Sequence, residues 1–239
     1  MILPNIIRNI HSAFLDVIFP RLCIACEKPL EQHEKFACSW CWQNILQVSP
    51  DDVTVRVLMR RFEEIGTIDR LFTPYYFEEE GVLQKIIHGL KYEGFTKLGV
   101  GLGEKIGELI VGENLPFRHE CIVPIPLHRS KYRERGYNQS EYIARGIAET
   151  LSIHRIEVSA VKRVRATQSQ THLSVDKRKA NIADAFRVMM PWKLKGKHVL
   201  LVDDVITTGA TIGECARVIR ESGAASVAVA SAALAKLTI

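Results

Sequence analysis

The sequence predicts an α/β fold, a mainly parallel sheet with flanking helices, preceded by a small four-cysteine module. Three observations predict it. An unbroken apolar run, Val199–Val202, suits a strand buried on both faces of a parallel sheet. Strand-like and helix-like patterns alternate along most of the chain, as βαβ units require. Two Cys-x2-Cys pairs stand near the N-terminus. The 239 residues are enough for one sizeable α/β domain plus a small module. At 47% hydrophobic and 25% charged, the composition is that of an ordinary globular chain, and a net charge of +5 favours anionic ligands without requiring nucleic acid.

In chain order, residues 1–20 read as an amphipathic helix, with Ile6, Ile7, Ile10, Phe14, Val17 and Ile18 on one face. Arg8 and Asp16 interrupt any signal-like core, and no apolar run approaches the roughly 20 residues of a membrane span. The expected readings are packing on its own protein or docking to a partner or membrane surface. Residues 21–50 form the cysteine module. Cys23 and Cys26 are separated from Cys38 and Cys41 by 11 residues, a spacing that brings four thiolates onto one ion. With no export signal, a reducing cytoplasmic setting favours structural Zn2+ over disulfides, with a redox dithiol pair as the alternative. Phe36, Trp40 and Trp42 are expected to pack the module's core, and His33 to lie exposed on its loop. Cys121 and Cys215, unpaired in apolar surroundings, read as small core residues.

Ser49–Asp52 marks a boundary, and residues 51–70 a linker with a helix. The main domain is expected over 71–239. Leu71–Phe77 is strand-like. Val82–Leu90 is helical and ends at Lys91–Gly94, with Gly94 as its cap. Thr96–Val111 is a helix whose Gly99, Gly101 and Gly103 suggest close packing against the sheet; Glu104 breaks a dinucleotide fingerprint. Cys121–Pro126 is a short strand, Leu127–Tyr137 a basic loop, and Asn138 the N-cap of a helix to about Leu151. Val158–Arg163 and Ala185–Val188 are strand candidates. Between them, Arg165–Ala180 is a polar stretch of the kind used as a lid. A helix with Ile212, Cys215, Ala216 and Ile219 on one face follows the Val199 strand, and Val227–Leu234 is the last strand.

The chemistry concentrates at Val199–Thr211. Two acids, Asp203 and Asp204, stand at the end of a predicted parallel strand, where open α/β sheets bind ligands. The turn Thr207, Thr208, Gly209, Ala210, Thr211 supplies hydroxyls, backbone freedom and the start of a helix, the makings of a phosphate cradle. Acids for a sugar diol beside a phosphate cradle suit a ribose 5-phosphate. Val205 and Ile206 connect the acids to the cradle. The basic loop after the Cys121 strand carries Arg129, Lys131 and Arg135, which could neutralise a departing pyrophosphate.

Residues Val199–Thr211 resemble the 5-phosphoribosyl-1-pyrophosphate (PRPP) signature of type I phosphoribosyltransferases. The cysteine pairs, Lys91-Tyr92-x-Gly94, Val123-Pro-x-Pro-Leu-His128, Arg135-Gly-Tyr-Asn-Gln139, Thr167-x-x-Gln170-x-x-Leu173, Arg178-x-x-Asn181 and Ala185-Phe186 precede it in order. That series resembles the ComF family, from about residue 20 to the end. The resemblance implies a zinc-finger-like module before a type I phosphoribosyltransferase domain, with Mg2+ bound alongside PRPP. It implies that Asp203 and Asp204 hold the ribose hydroxyls and that Val205–Thr211 wrap the 5-phosphate. Arg129, Lys131 and Arg135 would meet pyrophosphate, and Gln170, Arg178 and Asn181 would belong to the lid. Some family members support uptake of transforming DNA, so competence proteins or single-stranded DNA enter as partners. The acceptor stays unidentified: Leu71–Phe95 carries no chemistry that selects one. A PRPP or nucleotide sensor without turnover and a single-stranded-DNA binder are the rival readings, since one fold hosts both enzymes and regulators.

Overall fold

A computed structural model describes residues 20–49, 51–113, 119–166 and 182–236. The expected N-terminal helix and the lid residues Gln170, Arg178 and Asn181 lie outside them. Helices α1 (Ser39–Gln43) and α2 (Val53–Ile65) precede strands β1 (Arg70–Phe72) and β2 (Tyr75–Phe77). Then come α3 (Val82–Tyr92), α4 (Thr96–Gly112), β3 (Cys121–Pro124), α5 (Arg129–Arg135) and α6 (Gln139–Leu151). Strands β4 (Val161–Arg163) and β5 (Phe186–Val188) are followed by β6 (His198–Ile206), α7 (Ala210–Glu221) and β7 (Ser226–Ala235).

The main sheet is parallel, with order β1-β7-β6-β3, and β2 also pairs with β7. β1 and β2 continue one edge, interrupted at Pro74, which has no N–H to offer the ladder. The cysteine module closes that edge from outside: Val48 N donates to Pro74 O at 2.9 Å and Tyr76 N to Leu46 O at 2.8 Å. Residues of β6 alternate between the two cores. Leu200 and Val202 join the layer built from α3, α4, α6 and the cysteine module; Val199 and Leu201 join the layer of α2, α7 and the β4–β5 pair. This two-sided burial explains why the strand is apolar without alternation.

Several expectations need correction. β4 and β5 are antiparallel partners in a separate two-stranded sheet, not members of the parallel one. Residues 158–160 turn instead of extending. The expected basic loop contains helix α5, capped by the His128 side chain, which accepts from Ser130 N, and by Gly136 at φ +80°. It buries no residue, so no hydrophobic period announces it. Trp40 is 63% exposed instead of packed in the module core, with the Lys28 ammonium 5.9 Å from its ring centre, whereas Trp42 and Phe36 pack inward as expected.

Gly99, Gly103 and Gly107 of α4 pack against α6, not the sheet. A Cβ on Gly103 would stand 2.1 Å from Ile143 O, and one on Gly146 would stand 2.0 Å from Val100 O. The backbones of α4 and α6 therefore touch through facing glycines. Gly103→Ala is expected to cost about 3 kcal/mol by overpacking against rigid backbone, read as a fall of several degrees in melting temperature. Gly101→Ala meets nothing within 4 Å and should stabilise the helix by about 0.5–1 kcal/mol.

Candidate functional site

The acids lie within β6, which runs on to Ile206 instead of ending before them. Asp203 Oδ1 accepts from Asp204 N at 2.9 Å and from Ser140 Oγ at 3.2 Å. Asp204 Oδ1 accepts from Val205 N at 2.7 Å, and its Oδ2 lies 2.7 Å from Lys91 Nζ. Ser140 reaches Asp203 because Asn138 caps α6: its Oδ1 accepts from Ser140 N, and its Nδ2 donates to Ile125 O just beyond β3. The predicted cap thus ties three elements to the acid pair.

Burial and then the neighbouring Asp204 charge push the Asp203 carboxyl up to about 7, against the smaller pull of its hydrogen bonds and of Lys91. A raised carboxyl pKa costs the folded state stability as pH climbs from the unfolded value through 7. Asp203→Asn keeps an oxygen acceptor and removes the charge. It is expected to melt a few degrees above wild type at pH 8, about 1–2 kcal/mol, with the gap closing toward pH 5. A pH series of thermal melts checks this.

The cradle follows directly. Gly209 adopts φ +76° and caps α7, and a Cβ there would stand 2.7 Å from Phe62 Cζ and 2.8 Å from Leu58 Cδ1. Backbone conformation and packing against α2 thus both demand glycine. Among the described residues no side chain caps α7, which leaves its first-turn N–H groups for another acceptor; a cavity of about 30 Å³ there is lined by Asp203, Val205, Ile206, Thr207, Gly209, Ala210, Thr211 and Ile212. Ile206 gives its side chain to the core, so only its backbone can serve a ligand. Thr208 Oγ1 is buried without a partner among the described residues, and the residue also helps to line a neighbouring cavity of about 410 Å³ between α2 and α7.

The basic residues of α5 differ in their partners. Arg129 and Lys131 are exposed, and Lys131 Nζ turns to Glu134 at 2.8 Å. Arg135 is fixed: Nη1 donates to Gln139 Oε1 at 2.8 Å, and its guanidinium lies 5.2 Å from the centre of the Tyr92 ring. Its Nε is buried with no partner among the described residues. Sequence reasoning treated Lys91-Tyr92 as a helix end and missed that Lys91 pairs with Asp204 while Tyr92 supports Arg135. It also missed Ser140 and Arg163. Burial lowers the Arg163 pKa, while the charge of Asp203 raises it. The spacing of Lys91-Tyr92-x-Gly94 was the available signal.

The four thiols of Cys23, Cys26, Cys38 and Cys41 lie within 4.8 Å of one another. Cys23 and Cys41 Sγ are 3.6 Å apart, and Cys26 and Cys38 Sγ 3.7 Å. Four thiolates around one tetrahedral Zn2+ would be about 3.8 Å apart, so the cluster can hold a metal ion. Burial opposes the Cys23 thiolate, but amide donors of Cys26, Cys38 and Ala25 outweigh it and bring its pKa down to about 6. Cys121 and Cys215 are fully buried elsewhere, as expected of core residues.

A parallel sheet with acids at a strand's C-terminal end and a glycine-opened helix start define a phosphoribosyltransferase-type domain. The phosphoribosyl transferase domain family matches residues 138–236. The DNA utilization protein YhgH of Salmonella typhimurium is 35% identical over 153 residues, 62% of this chain and 65% of that protein. Competence protein F of Haemophilus influenzae is 35% identical over 111 residues, 46% and 48% of the two chains. Competence protein ComFC of Streptococcus pneumoniae is 24% identical over 212 residues, 86% and 84%. Residues 138–236 are thus a phosphoribosyltransferase-type domain, and the chain is similar to proteins named for DNA utilization and competence. It spans just under two thirds of the YhgH length. No helix among the described residues is long and apolar enough to cross a membrane.

Proposed function

We propose that the protein binds PRPP and transfers its 5-phosphoribosyl group to a nitrogen acceptor, releasing pyrophosphate. One observation carries this reading: the Asp203–Asp204 pair stands beside the turn that Gly209 opens at the start of α7. In it, the two carboxylates accept from the ribose hydroxyls, and the backbone of Val205–Thr211 holds the 5-phosphate. Arg135, with its buried Nε unused by protein among the described residues, donates to the pyrophosphate; Arg129 and Lys131 add charge from the surface. The C1–oxygen bond to pyrophosphate breaks as the acceptor nitrogen bonds to C1. The carboxylate oxygens of the pair are the hard donors that Mg2+ takes, and the bound ion would supply charge neutralisation for the leaving group. Gln170, Arg178 and Asn181 are the proposed lid, excluding water. Zn2+ is the metal proposed for the cysteine cluster, as a structural ion with no open position.

The names of its relatives support DNA use or competence as the setting; competence proteins as partners and the cytoplasm as the location belong to the same proposal. Isothermal titration of PRPP and Mg2+ tests the donor, and pyrophosphate release against a panel of bases tests the transfer. Binding with release supports a transferase. Binding without release from any base favours a PRPP sensor. No binding by the folded protein overturns the donor reading. Single-stranded DNA binding is favoured by one observation, the exposed Trp40 with Lys28 beside it, which offers a stacking face and a cation. An oligonucleotide affinity that falls steeply with salt and with Trp40→Ala would support it.

A further inference from the structure

The cysteine module and the acid pair are joined by one helix. At one end of α3, Lys85 Nζ donates to Ala25 O at 2.6 Å, the carbonyl held between Cys23 and Cys26. One turn on, Gly89 lets Ile24 approach so closely that a Cβ would stand 2.5 Å from Ile24 Cδ1. Leu83, Ile86, Ile87 and Leu90 of α3 share a core with Cys23, Ala25, Ala37 and Cys41. At the far end, about 9 Å along the axis from Lys85, Lys91 Nζ meets Asp204 Oδ2 at 2.7 Å, with the lysine side chain 21% exposed and the aspartate 7%. Tyr137 donates its hydroxyl to Leu90 O, tying the same last turn to the segment that leads into α6 and Ser140.

We infer that the four-cysteine module is a positioning element for the proposed PRPP site: the folded module fixes α3 through Lys85 and Gly89, and α3 fixes the Lys91 ammonium on Asp204, an inference that rests on reading the acid pair as that site. A helix is stiff, so displacement at the Lys85 end carries to the Lys91 end. Lys91 is the cation that offsets one of two adjacent carboxylates. Moved away, it leaves a pair whose negative charge repels an anionic donor. Lys91 is then a site residue, and Lys85 a positioning residue that acts through it without touching the ligand.

The test compares metal-loaded wild type, Lys85→Met, Lys85→Arg, Lys91→Met and the Lys85→Met/Lys91→Met double variant. PRPP affinity with Mg2+ is read by calorimetry, and the coupling of Lys85 to Lys91 by thermal melts of the same set without PRPP. Lys91→Met is expected to weaken PRPP about tenfold, as loss of a charge-assisted contact does. Lys85→Met should weaken it about threefold, Lys85→Arg should restore it, and Lys85→Met should add nothing once Lys91 is gone. In the melts, the loss in the double variant should fall short of the sum of the two single losses. An additive double variant, or a Lys85→Met protein with wild-type affinity, overturns the positioning role. Where the methionine variant fails to fold, Lys85→Gln takes its place. If wild type binds no PRPP, the donor reading falls, and the melts alone decide whether Lys85 places Lys91.

Discussion

Replacing Cys41 by serine should remove much of the protein's stability margin. Cys41 is fully buried, its Sγ 3.6 Å from that of Cys23, in one core with Ile86 and Leu90. The substitution removes one thiolate of four and buries a hydroxyl where sulfur stood. Structural Zn2+ contributes about 10–16 kcal/mol in small zinc-finger peptides, against a margin of about 5–15 kcal/mol for a typical domain. A fall of more than about 10 °C in melting temperature and loss of the bound metal are expected. The damage should spread beyond the module, because its exit segment, Leu46–Val48, closes the β2 edge and its cysteines share the core beneath α3. Cys121→Ser is the control: an equally buried thiol outside the cluster, expected to cost about 1–3 kcal/mol and to leave metal content unchanged. Melting curves with metal analysis check both. A Cys41→Ser protein that melts like wild type would mean that metal does not hold the module.

What the sequence revealed, and what it hid, follows from periodicity. β6 and α7 were legible because both bury faces with an unambiguous pattern, Val199–Val202 for the strand and Ile212, Cys215, Ala216 and Ile219 for the helix. Asn138 was legible because capping is local chemistry. Helix α5 was not, because a helix with no buried residue has no apolar period. The partners of the acids were hidden for another reason. Lys91 and Asp204 are far apart in sequence, and only the packing of α3 brings them to 2.7 Å. The α4 glycines were recognised as packing residues, but their partner Gly146 could not be read, since nothing in one helix names the face it will meet. Trp40 was misplaced because aromatic residues between metal ligands usually fill the module's core, whereas here Trp42 and Phe36 already do.

Asp204→Asn should weaken PRPP binding about 100-fold, the cost of two charge-assisted hydrogen bonds to a ribose diol. The asparagine can still accept from Val205 N through its oxygen, so the local turn is kept. Its amide, however, faces the Lys91 ammonium as donor against donor, and Lys91 loses its counter-charge in a largely buried position. A stability loss of about 1–3 kcal/mol is therefore expected as well, and it must be separated from the binding loss. The Lys91→Met/Asp204→Asn double variant does this. Removing the stranded ammonium should recover most of the melting temperature, while PRPP affinity stays low because no carboxylate is left at position 204 to accept from the hydroxyls. Recovery of both would make Asp204 a structural counter-ion for Lys91. Wild-type affinity in the folded single variant would remove the acid pair from the ribose site altogether.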